Sequence, residues 1–166
     1  MDAEQWALHI AVALKIMHDP NSWNQATYAS SCGTAFCYAG HAISLSGYKF
    51  VQKDFDRSDY VYAAGMPDPF EESFDHSELG HVIRAAVAGR ILLGLTDDVA
   101  DWWFASHRSF PEMMLRLNDL ARYDEVELPP ELRLTPAQMR EISTAPDIFA
   151  LDEIQARMLY PEGVPE

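Results

Sequence analysis

Long apolar runs, cysteine and positive charge are all scarce in this sequence. No stretch of the 166 residues approaches the ~20 uninterrupted apolar residues of a bilayer-spanning helix, which argues against a membrane protein. The opening Met1-Asp2-Ala3-Glu4 has neither the basic region nor the cleavage pattern of a secretory leader, so the expected compartment is the cytoplasm. The two cysteines, Cys32 and Cys37, are too few for a disulfide scaffold, and their short separation leaves a bridge little loop entropy to remove. Free thiols are expected. Lysine and arginine number 12 against 26 aspartates and glutamates, a formal charge of −14. Such a field repels phosphates and anionic membrane, which argues against a direct reader of DNA or RNA. A Gly-rich phosphate loop, a GxSxG element and an HExxH element are all missing, so nucleotide, serine-hydrolase and zinc-protease readings have no support. No internal repeat or low-complexity tract occurs.

What remains is a globular composition, 48% hydrophobic and 11% aromatic. A chain of this length makes one domain and removes roughly 70% of its unfolded surface from water. The charge is segregated: −1 over residues 1–50, −6 over 51–83, 0 over 84–123 and −7 over 124–166. Two acidic blocks of this kind attract a basic partner; they also serve solubility alone.

Local patterns predict a mainly α-helical, single compact domain of five to seven helices, with room for one small β-hairpin near residues 48–63. Residues 2–18 place Trp6, Ile10, Ala13, Leu14 and Met17 on one helical face, and Asp2 with Gln5 has capping-box spacing. Pro20 stops that helix. Residues 34–45 are small and apolar, and Gly47 stands where helices close on a left-handed residue. Ala35, Ala39, Gly40, Ala42 and Ser44 would let a second helix approach closely, which makes this segment central and buried. Residues 48–52 and 60–63 are β-favouring runs that fit a hairpin or an irregular loop equally well.

Asp75 with Glu78 resembles a helix start, and Leu79, Val82, Ile83, Ala86, Val87 and Ile91 then predict a helix running to Gly94. Thr96-Asp97-Asp98 caps another helix, and Ser109-Phe110-Pro111-Glu112 opens a third. Residues 124–134, acidic and carrying Pro129-Pro130, read as a linker. Two short C-terminal helices follow within 135–160 and pack back on the body. One begins at Thr135-Pro136; the other is capped by Asp147, with Ile148, Leu151, Ile154 and Met158 as its apolar stripe.

Two stretches carry a family resemblance: Cys32-Gly-Thr-Ala-Phe-Cys37-Tyr-Ala-Gly-His41-Ala after Trp23, and Leu92-Leu93-Gly94-Leu95-Thr96-Asp97 with Ala100 and Phe104 downstream. They resemble small uncharacterised helical proteins of actinobacteria and their bacteriophages, in which a CGTxxCxAG-like motif precedes an LGLT-like helix junction. The resemblance spans roughly Trp23 to Leu120. It implies an origin and a helical fold, and it carries over no functional residues.

Three constellations could carry chemistry. Cys37, at the start of a predicted helix, has the positive end of the dipole to stabilise a thiolate, and His41 lies one turn on as a base. The stretch Trp23-Asn24-Gln25 before the cysteines also resembles papain-like proteases, but the cysteine spacing differs and no β-rich half follows to supply a histidine. The competing reading makes Cys37 and His41 packed structural residues, the imidazole satisfied by a carbonyl or carboxylate. For metal, Cys32, Cys37 and His41 fall one short of four zinc ligands, and Glu78 with His81 gives one of the two carboxylate-histidine elements a di-iron bundle needs. Asp97, Asp98 and Asp101 cluster at a helix start, where acids are favoured by the dipole anyway. No metal and no cofactor is assigned.

Trp102, Trp103 and Phe104 are consecutive, and at ~100° per residue they cannot share one core face. An aromatic edge at Trp102 and Trp103 beside Asp97, Asp98 and Asp101 suits a protein interface; burial under the C-terminal helices suits the same residues. The reading preferred from the sequence is a non-enzymatic acidic protein that binds a host or partner protein with a basic surface, nucleic-acid mimicry being a special case. The alternative is a thiol-dependent enzyme built on Cys37 and His41.

Overall fold

A computed structural model describes residues 1–28, 36–51, 60–62, 74–76 and 80–161, with the backbone alone at 74–76 and 80. Among these residues the chain forms seven α-helices, two 3-10 turns and a small antiparallel sheet, a mainly α domain. No helix among them is long and apolar enough to cross a membrane.

Helix α1, Ala3–His18, starts where its capping box dictates: Gln5 N–H donates to Asp2 Oδ1 at 2.8 Å, and Asp2 N–H donates to Gln5 Oε1 at 2.9 Å. Its fully buried stripe is Trp6, His9, Val12, Ala13 and Ile16. The predicted face is rotated slightly, with Ile10, Leu14 and Met17 on its partly buried flank. The strap that follows is stitched to the entry of the next helix: Phe36 N–H donates to Ser22 O, Asn24 N–H to Phe36 O, and Cys37 N–H to Thr27 O.

Helix α2, Tyr38–Leu45, is the interior strut that its small residues predicted; every residue from Tyr38 to Ile43 is buried. A Cβ at Gly40 would lie 1.8 Å from the Tyr28 carbonyl oxygen, so only glycine lets the strap cross there. Helix α3, Ala85–Leu92, also packs closely against α2, since a Cβ on Gly89 would come within 2.7 Å of the Ala39 Cβ.

Strands β1 (Tyr60–Tyr62), β2 (Phe74–His76) and β3 (Gly80–Arg84) form a sheet in the order β1-β3-β2. The expected pairing near 48–63 is present as an antiparallel bridge between Phe50 and Val61, flanked by Val51 N–H to Tyr60 O at 2.9 Å; residues 52–59 lie outside the described set. The helix expected to start at Asp75 does not form. Asp75 instead pairs with His81 across β2 and β3, and helix begins only at Ala85. The reason is two-sided burial. Ile83 packs with Ile43, Val61, Ala85 and Ala88, while Val82 packs with Val51 on the other face. A strand apolar on both faces loses its alternation, and consecutive Val82-Ile83 between Leu79 and Ala86 then mimics helical spacing.

Helices α4 (Asp97–Phe104), α5 (Phe110–Tyr123), α6 (Pro136–Ser143) and α7 (Ile148–Leu159) complete the body. Three of their starts follow the predicted caps: Ser109 with Glu112, Thr135 with Gln138, and Asp147 to Ala150 N–H at 3.0 Å. Three helix ends close in Schellman turns through residues of positive φ, Gly47 (+82°), Gly94 (+65°) and Glu125 (+57°). The segment 124–134 holds buried Leu128 and Leu132 and a 3-10 turn over Pro130–Leu132. Asn118 fixes it to α5: its Nδ2 donates to Met114 O and Leu132 O, each at 2.9 Å, and its Oδ1 accepts from Leu134 N–H at 2.9 Å. The main core joins α1, Tyr38 and Ala42 of α2, Trp103, the inner face of α5, Leu128, Leu132 and Leu159.

Candidate functional site

Cys37 is the N-cap of α2, one residue before the first turn in which the sequence placed it. Its Sγ accepts from Gly40 N–H at 3.4 Å, and the residue is only 2% exposed. Burial pushes the thiol up to about 11, more than the helix-end N–H groups can offset, so the group is a neutral thiol at physiological pH. His41 is equally buried. Its ring is hydrogen-bonded to the Ser22 carbonyl and packs 5.3 Å from Phe36, while Nε2 has no partner among the described residues. Desolvation lowers its pKa to about 4, with Lys15 adding to the effect and Asp19 opposing it. Against the alternative reading of a thiolate at the helix end, desolvation outweighs the dipole, and the thiol sulfur accepts from the N–H of Gly40. One nitrogen of the His41 ring is thus carried by the Ser22 carbonyl, in keeping with the structural reading, while Nε2 has no partner among the described residues.

Gln25, which the papain-like comparison would put beside a nucleophile, has a different employment. It is buried; its Nε2 donates to Trp103 O at 3.0 Å and its Oε1 accepts from Tyr38 N–H at 3.3 Å, tying the start of α2 to the end of α4. Cys32 and Glu78 lie outside the described residues. His81 stands on β3, so no helical turn links it to Glu78. Among the described residues no three His, Cys, Asp or Glu side chains gather as a metal-binding group, Asp97, Asp98 and Asp101 included. Those three aspartates are exposed on the first turns of α4, with Asp97 paired to Arg90 at 3.1 Å.

The aromatic edge divides. Trp103 is 0% exposed, among the largest side chains of the core, and does not belong to any surface. Trp102 is half-buried, one face of its indole covered by Arg108 at 4.5 Å, so the chain supplies its own cation there. Trp103 instead packs edge-on against His9 and Tyr38, at centroid distances of 5.3 and 5.4 Å. His9 is the buried polar residue that the sequence reading missed. Its Nε2 lies 3.1 Å from the Leu93 carbonyl, which only accepts, so Nε2 carries the ring proton. Its Nδ1 is then an acceptor 3.2 Å from the Tyr38 hydroxyl, whose single proton is shared between that nitrogen and His9 O at 3.0 Å. Burial holds His9 down at about 4, a neutral polar plug joining α1, α2 and the α3–α4 junction. Its position between Trp6 and Ala13 on the apolar line of α1 was the available signal.

Among the described residues the most exposed large apolar side chains lie elsewhere, at Tyr123 (86%), Phe149 (75%) and Ile148 (54%). Ile148 and Phe149 open α7 directly after the capping Asp147. Asp152 and Glu153, three and four residues beyond Phe149, are exposed on the same side of that helix. The sequence had put Ile148 in the buried stripe; the structure buries Ile154 and Leu159 and turns Ile148 to solvent. Comparison of the chain with protein-family models, with curated proteins and with solved structures finds no match.

Proposed function

We propose that this chain is a non-enzymatic acidic binding protein whose partner is a protein with a basic surface, engaged through the opening turns of α7. The observation that carries the reading is the adjacent exposure of Ile148 and Phe149 within the more acidic terminal block, with Asp152 and Glu153 beside Phe149 on one helical face. An aromatic anchor ringed by acids is the surface complement of an apolar pocket with a basic rim, where the apolar contact gives affinity and the charges give orientation and rate. The anchor sits on α7 rather than at Trp102 and Trp103, because the first of these is covered by Arg108 and the second is core. A reading through Cys37 and His41 finds no support in a buried neutral thiol.

Burying a phenylalanine contributes about 1.5–3 kcal/mol, so Phe149→Ser should weaken the complex roughly tenfold to a hundredfold. The test is affinity capture from cell lysate at low and high salt, with the wild-type chain and with an Ile148→Ser, Phe149→Ser variant as parallel baits. A protein held by the wild type at low salt, released by salt and absent from the variant is expected. Capture of nothing at low salt, or equal capture by both baits, overturns the proposal.

A further inference from the structure

A cleft of about 700 Å³ opens between the first turns of α1 and the segment leaving α5, with no residue of α7 in its lining. Its apolar surface comes from Trp6, Ala7, Ile10 and Val126, and its acids are Asp2 and Asp124. The Schellman turn through Glu125 brings Val126 to this wall, with Val126 N–H donating to Ala121 O at 2.8 Å. Asp124 shows what the cleft accepts. Its Oδ2 accepts from the Trp6 indole N–H at 3.0 Å and from the Met1 nitrogen at 3.2 Å, so that oxygen is already committed. Oδ1 of the same carboxylate accepts no hydrogen bond among the described residues, and the side chain is 22% exposed. The indole and the ammonium both hold Asp124 below the usual carboxylate range, so it is charged at neutral pH. Apart from that ammonium, no lining residue is cationic.

From this geometry we propose that the α1–α5 cleft is a seat for a lysine side chain of a basic partner segment, its aliphatic stem lying on Trp6, Ile10 and Val126 and its ammonium bonded to Asp124. The proposal rests on the reading of a basic protein partner and adds a second contact to the one on α7. A lysine has the stem length and the compact ammonium for a groove with an apolar floor and an Asp124 carboxylate oxygen at its wall. Asp124 Oδ1, which accepts no hydrogen bond among the described residues, supplies the charge complement of that ammonium.

The test is a titration of the ¹⁵N-labelled chain with an acetylated, amidated lysine-rich peptide, following the indole N–H signal of Trp6 assigned through Trp6→Phe. The expected result is a saturable shift that weakens as salt is raised, and no shift with the same peptide carrying glutamine at every lysine. Asp124→Asn should abolish the shift. Because that variant also loses the charge holding Trp6 and the N-terminus, Ala7→Lys and Ala7→Glu provide a second readout at an exposed position of α1. The added lysine should weaken peptide binding by about two- to fivefold, and the added glutamate should strengthen it by a similar factor. An unmoved Trp6 signal, an equal response to the glutamine peptide, or indifference to both Ala7 variants overturns the proposal. Capture that depends on Phe149 while the Trp6 signal stays still would remove the cleft and leave the α7 reading standing.

Discussion

Acidification should unfold this protein partly through His9, and the size of the effect follows from its surroundings. In the unfolded chain the imidazole titrates near its ordinary 6.5, whereas in the fold it is held at about 4 by loss of water. Between those values the unfolded state binds a proton that the folded state refuses, so stability is full above about pH 6.5, falls as pH drops, and stops falling on this account once the folded histidine also protonates near 4. The difference corresponds to about 3 kcal/mol, at about 1.4 kcal/mol for each pH unit. His41, also lowered to about 4, contributes in the same direction. The acidic surface acts oppositely, because protonating carboxylates relieves the self-repulsion of a chain with charge −14. Comparison with a His9→Gln variant removes that background. Glutamine can still donate to Leu93 O, and it does not titrate. Urea unfolding followed by tryptophan fluorescence at several pH values from 7.5 to about 4 should show the wild type losing about 3 kcal/mol more than the variant. Parallel loss in the two proteins would refute the assignment of His9 as a neutral buried plug.

Cys37, studied in a Cys32→Ser background, should resist a maleimide in the native state and react once urea unfolds the chain; prompt stoichiometric labelling of the folded protein would contradict its burial. Gly40→Ala should lower stability by about 3 kcal/mol by thermal melting, because the new methyl meets the Tyr28 carbonyl at 1.8 Å and this overrides the usual helix gain of about 1 kcal/mol from alanine. An unchanged melting temperature would mean the strap does not cross there. Glu125→Gly should raise stability by about 0.5–1 kcal/mol, since an L residue is strained at φ +57°. Glu125→Ala, which removes the same charge and keeps the strain, should not; equal gains in both would assign the effect to charge.

Much of the fold was legible because its helix ends are set by chemistry within four residues. The pairs Asp2 with Gln5 and Ser109 with Glu112 satisfy their own backbone donors, and Gly47 and Gly94 take a backbone conformation that few other residues accept. Glu125 ends α5 by the same motif without the glycine, so nothing in its identity marks the turn. The sheet was hidden for a reason outside any local window: Val82 and Ile83 are buried by different partners from opposite sides, and those partners, Val51 and Ile43, lie some thirty to forty residues earlier in the chain.

The same distinction separates the parts of the candidate site. Helical rotation alone required Trp102, Trp103 and Phe104 to diverge, but which indole enters the core depends on His9 and Tyr38 coming from α1 and α2. The stripe proposed for α7 carried its own warning. Two consecutive three-residue steps, Ile148 to Leu151 to Ile154, each fall about 60° short of a full turn, so Ile148 and Ile154 stand about 120° apart and one helix face cannot bury both. Given Ile154 in the core, Ile148 must turn outward, and Phe149 with it. The acids at 152 and 153 then surround the exposed aromatic as a consequence of helical spacing, and the anchor on which the functional reading depends follows from the step that put Ile154 inside.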